Sequence, residues 1–74
     1  MAVIEVRSET AGSIWRVYVA AGDTVAADHV LMILESMKME IPISAPTAGR
    51  VTEILVSEGD PVSGNQIVAL LEST

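Results

Sequence analysis

Apolar residues along this 74-residue chain come in short blocks separated by Gly, Asp, Ser and Pro. Residues 14 to 19 and 51 to 56 are rich in β-branched and aromatic types, which suit a pleated, half-buried surface. Val30 to Leu34 and Ile67 to Leu71 are apolar runs too brief for stable helices, and Val3 to Val6 and Met39 to Ile43 show partial two-residue alternation. The pattern predicts an all-β chain. Gly22-Asp23 and Gly59-Asp60 mark turns, because glycine tolerates positive φ and an aspartate can accept from nearby backbone amides. Gly12 and Gly49 are expected to open the strands that follow. Pro42 has no amide to donate and is expected on an edge or irregular strand.

The blocks repeat. Shifting the chain by 37 residues lays TAGSIWRVYVAAGDTVAADHVLMILES over TAGRVTEILVSEGDPVSGNQIVALLES without a gap. Gly12/Gly49, Val19/Val56, Gly22/Gly59, Asp23/Asp60, Val25/Val62, Leu34/Leu71 and Glu35/Glu72 are identical, and Ile14/Val51, Val17/Ile54 and Val30/Ile67 are conservative. Two copies are too few for a solenoid, so the halves are expected to pack about an approximate two-fold axis. Short strands at regular spacing then predict a small sandwich or flattened barrel that shields its edges. Met37 corresponds to Thr74 and Lys38 to Met1, which makes the 37 to 38 connection the two-fold mate of the gap between the chain ends. The termini are therefore expected at one pole and Lys38 at the other.

Lys38 is the only lysine, held between Met37 and Met39 in ESMKMEI. The strand candidates 30 to 36 and 39 to 45 leave room only for a two-residue hairpin turn at Met37 and Lys38. Such turns favour Asn-Gly or Gly-x, since one or both central residues need positive φ. Neither is present. A non-glycine turn there costs of order 1 to 3 kcal/mol per strained residue, and a broken local rule is where a functional site is expected. A solvated alkylammonium keeps its proton at neutral pH and is a poor unaided nucleophile. Schiff-base catalysis wants a desolvated amine that nothing in the sequence provides. Two readings stay open on spacing alone: an acceptor that another enzyme acylates, with the flexible methionines fitting that enzyme's apolar groove, or a solvated turn lysine beside packing methionines.

Composition narrows the classes. At this length one domain, residues 1–74, is expected. Half the residues are hydrophobic and the aromatics are Trp15 and Tyr18, so the core is aliphatic. With no cysteine and one histidine there is neither a disulfide framework nor a metal centre in prospect. Ten acids against four bases give a net charge of −6, which repels nucleic acid. The opening MAVIEVRSE lacks the apolar run of a signal peptide, and no segment is long enough to span a membrane, so a cytoplasmic protein is expected.

ESMKMEIPISAPTAGRV, with VAAGDTV before it and VSEGDPV after it, resembles the attachment hairpin of biotinyl/lipoyl domains, and the likeness covers essentially the whole chain. The resemblance implies a flattened barrel of two four-stranded antiparallel sheets with the lysine on a tight turn. It implies that Lys38 is biotinylated by a biotin protein ligase, with Met37 and Met39 as ligase recognition elements. The carrier would then serve a biotin carboxylase and a carboxyltransferase, itself non-catalytic and monomeric. Related lipoyl domains generally have Asp-Lys-Ala here, which makes lipoate the alternative cofactor. An unmodified interaction module of the same barrel type is the alternative of a different class. The gapless match of the halves leaves no room for the thumb inserted in some biotinyl domains. With neither linker nor carboxylase in the sequence, the carrier is expected to meet its enzymes as a separate polypeptide. Among the remaining residues, His29 is expected to be structural or solvent-facing, Trp15 and Tyr18 to pack on a strand face, and Glu53, Glu58 and Asp60 to form a solvated face.

Overall fold

The apolar blocks become eight strands. In the computed structural model, which describes residues 2–73, these are β1 (Val3–Arg7), β2 (Gly12–Val17), β3 (Thr24–Val25), β4 (Val30–Ser36), β5 (Met39–Ser44), β6 (Gly49–Ile54), β7 (Pro61–Val62) and β8 (Ile67–Ser73). They form two four-stranded antiparallel sheets, ordered β1-β8-β6-β3 and β5-β4-β2-β7. Each sheet draws strands from both halves, so neither half has a sheet of its own. Adding 37 to every residue of one sheet's first-half strands produces the other's ladder. Val3↔Glu72 and Ile4↔Leu71 in β1–β8 reappear as Glu35↔Glu40 and Leu34↔Ile41 in β4–β5. The expected two-fold is present at single-residue register.

The core follows the same rule. Val6 and Ile43, Ile14 and Val51, Val25 and Val62, and Leu34 and Leu71 are buried mates. Consecutive residues Leu31-Met32 in β4 and Val68-Ala69 in β8 are all buried, which strict alternation forbids. The cause is a bulge at matching places: the β4–β5 register skips Leu31, and the β1–β8 register skips Val68. An extra residue resets the pleat, so two neighbours turn inward together. That is why these strands read as continuous apolar runs.

Turns and close approaches fix the rest. Gly22 and Gly59 have positive φ, and Asp23 and Asp60 accept from the amides of Ala20 (2.9 Å) and Ser57 (2.8 Å). Gly12 and Gly49 open β2 and β6, as expected, and a β-carbon at either would run into the carbonyl of Glu35 or Glu72. β2 and β6 end two residues before the blocks at 14 to 19 and 51 to 56 do. Pro42 lies on edge strand β5, where its missing donor faces no neighbour.

Two expectations need correction. Trp15 and Tyr18 do not pack on a strand face; they are 43% and 60% exposed. Trp15 is the residue skipped by the β2–β4 register, and the bulge turns it outward, where the Arg16 guanidinium lies 5.1 Å from its ring centre. Glu58 and Asp60 are not merely solvated, because Glu58 accepts from the Val17 amide at 3.0 Å and Asp60 holds its turn. Glu53 and His29 are exposed, as expected of them.

Candidate functional site: the Lys38 hairpin

β4 and β5 pair through six residue couples that end at Ser36↔Met39, leaving Met37 and Lys38 as the turn. Both have positive φ, 52° and 64°, as a type I′ hairpin turn requires. Asp28 and Asn65 are the other non-glycine residues in this region, and they are mates under the repeat. Met37 and Lys38 have no such mates within the described residues, since Thr74 and Met1 lie outside them.

The turn is held from behind. Ser36 Oγ donates to the Ala11 carbonyl at 2.8 Å, tying the hairpin to the link between β1 and β2. Leu34 and Ile43, farther down the two strands, are sealed in the core. By contrast the tip is open: Met37 is 92% and Met39 64% exposed, and Lys38 is exposed. Among the described residues the ion pairs are Arg7–Glu5 and Arg50–Glu72, neither of which engages Lys38.

The tip lies at one end of a body 35 Å long and 19 Å wide. At the far end the Ala2 amide donates to Ser73 Oγ at 3.1 Å, and the Ser73 amide donates to the Ala2 carbonyl at 2.9 Å. β1 leaves that end at Val3, and the chain reaches the hairpin end at Ala11. β5 and the link after it make the return journey, from Met39 to Gly49 at the start of β6, which pairs with Ser73. Ala2 and Ser73 therefore sit opposite Lys38.

Directly behind the tip, Glu35 and Glu40 face each other across the strands, both exposed. Like charges in that arrangement are destabilising. Glu72, the mate of Glu35, faces Val3 instead of an acid and lies 3.6 Å from Arg50, whose own mate is Ser13. A shallow groove runs beside β5, lined by Arg7, Glu9, Leu34, Ile41, Pro42, Ile43 and Ser44. Lys38 and its two methionines do not line it. The arrangement suits covalent attachment: a primary amine in solvent, on a stiff support, with no wall around it.

A family model described as "Biotin-requiring enzyme" (biotin/lipoyl) matches residues 4–71. The chain belongs to this family. Over 37 residues it is 54% identical to the biotin/lipoyl attachment protein of Bacillus subtilis, covering 50% of this chain and 51% of that one. Over 41 residues it is 49% identical to the biotinylated protein TB7.3 homolog of Mycobacterium leprae, covering 55% and 58%. These matches span little more than half the length of either relative. The biotin/lipoyl fold also superposes on Kluyveromyces lactis urea carboxylase, with a TM-score of 0.91 and 33% identity over 97% of this chain and 6% of the carboxylase. A single-chain, multi-domain long-chain acyl-CoA carboxylase gives a TM-score of 0.91 and 29% identity over 97% of this chain and 7% of that enzyme. The family's fold and its likeness to carboxylase domains match what ESMKMEI suggested.

Sequence reasoning singled out Lys38, Met37 and Met39, and the structure brings all three to one tip. It missed the Ser36–Ala11 tie and the Asp28 and Asn65 turns. Asp and Asn tolerate left-handed backbone, and their occurrence at matching positions of the repeat was the available signal.

Proposed function

We propose that this chain is a non-catalytic carrier, biotinylated on Lys38 Nζ by a biotin protein ligase and serving a biotin carboxylase and a carboxyltransferase. The observation that carries the reading is the single lysine of the chain at the tip of a strained, rigidly backed hairpin, facing solvent. Family membership and the likeness to carboxylases support the choice of biotin. Once attached, biotin supplies a ureido nitrogen that carries a carboxylate.

The residues of the chain position and present. β4, β5 and the Ser36 bond aim the Lys38 side chain outward, Met37 and Met39 offer apolar contacts to the ligase, and the exposed Glu35–Glu40 pair meets a basic face on a partner. The amide forms when the ligase removes a proton from Nζ and the freed amine displaces AMP from the activated biotinyl carboxyl. Tethering raises the effective concentration of the carried group at two successive active sites. We infer a monomer acting in the cytoplasm.

Incubation with a biotin protein ligase, biotin and ATP, read by intact mass, tests the proposal. One biotinyl adduct is expected on the chain and none on Lys38→Arg. An unmodified parent chain, or an adduct that survives in the variant, would overturn it. Lipoate with a lipoate ligase in a parallel reaction separates the two cofactors, and only the biotin reaction is expected to proceed.

A further inference from the structure

The two sulfurs that flank Lys38 differ sharply from a third in the same hairpin. Met37 and Met39 are 92% and 64% exposed, while Met32, five residues before the turn in β4, is fully buried at 0%. The chain has no cysteine, so no thiol competes for an oxidant. From this contrast we infer that Met37 and Met39 are a peroxide-modified site whose oxidation controls acylation of Lys38. The inference rests on the carrier reading above.

The chemistry is an oxygen transfer. A thioether lone pair attacks one oxygen of hydrogen peroxide, the O–O bond breaks, and water leaves after proton transfer. Sulfur is oxidised to the sulfoxide and peroxide is reduced to water. The product converts a flexible apolar side chain into a polar one, and a thiol-dependent methionine sulfoxide reductase reverses the change. Exposure makes the two sulfurs reactive, while the core shields Met32, which therefore serves as an internal control.

The position turns a surface lesion into a switch. Met37 is the other half of the turn that holds Lys38, and Met39 is the first residue of β5. An enzyme that reaches the amine must cover both neighbours. A sulfoxide carried into an apolar groove without a hydrogen-bond donor is penalised by its desolvation, and the acylation rate falls on the order of tenfold. The fold is untouched, because neither sulfur belongs to the core.

The test uses the whole purified chain. It is treated with hydrogen peroxide, mapped by peptide mass, and then given biotin protein ligase, biotin and ATP. The expected result is one oxygen each on Met37 and Met39, an unmodified Met32, an unchanged thermal midpoint and a rate lower by about tenfold. Methionine sulfoxide reductase restores the rate. In Met37→Leu, Met39→Leu the ratio of treated to untreated rates stays near one, whatever the variant's own starting rate. Full oxidation of both residues with no change in rate overturns the inference and leaves the carrier reading intact. Oxidation of Met32 in step with the other two, or a rate loss that tracks unfolding, also overturns it. An untreated chain that takes no biotin overturns the carrier reading, and the inference with it.

Discussion

The two poles of this molecule share one frame and differ in a single connection. At one pole β4 and β5 are joined through Met37 and Lys38; at the other β8 and β1 lie side by side, with no turn joining Ser73 to Ala2. Register is the same at both: Glu35↔Glu40 at the hairpin corresponds to Val3↔Glu72 at the ends. Strand pairing at the terminal pole is thus kept without a turn, by core packing and ladder bonds alone. The hairpin pole has the same support, so its turn is free to hold residues that turn propensity would reject. Two successive non-glycine residues at positive φ are tolerable there because the fold does not depend on them.

If the halves are equivalent below the turn, equal damage to mates should cost equally. Gly12→Ala and Gly49→Ala each drive a methyl into a backbone carbonyl of the neighbouring strand. Each is expected to destabilise by about 2 to 3 kcal/mol in urea unfolding, as overpacking does. A large difference between the two would break the equivalence.

The turn itself should show the opposite sign. Replacing Met37-Lys38 with Asn-Gly supplies the residues a type I′ turn prefers and is expected to raise stability by about 1 to 2 kcal/mol. The same change removes the Lys38 amine, the proposed acceptor. A more stable chain that no longer takes biotin would locate the strain in the functional connection, whereas lost stability would show that Met37 and Lys38 are structurally preferred.

The smallest effect concerns a single hydrogen bond. Glu58 accepts from the Val17 amide, but its mate Ala21 has no side-chain oxygen to offer Ile54. Glu58→Ala should cost about 0.5 to 1 kcal/mol, typical of one exposed hydrogen bond. Ala21→Glu should recover a smaller amount on the other sheet, measured by the same unfolding midpoint.

Much of this was legible in the sequence because the chain states its pattern twice. The gapless repeat predicted the two-fold, the strand equivalences and the separation of Lys38 from the ends. A missing glycine at 37 and 38 flagged the turn. The bulges were harder to read, because skipping Trp15 or Leu31 depends on how two strands fit, and no local composition announces it. From that came the misplacement of Trp15, which reads as packing on a strand face when the pleat is assumed unbroken, whereas Tyr18 lies just past the end of β2. β3 and β7 are two residues each, below the length at which alternation carries information. Their positions rest on contacts with β6 and β2, made far away in the chain.

The central claim is that the β-scaffold, by fixing where Lys38 stands, makes it an acceptor. Comparing ligase-catalysed biotinylation of the whole chain with that of a synthetic peptide of residues 30–44 tests this directly, with kcat/KM as the readout. Both carry the same motif, and only the chain holds it on a fixed turn. The chain should be the better substrate by about a hundredfold, the scale that loss of positioning costs. A peptide modified as efficiently as the folded chain would contradict the account.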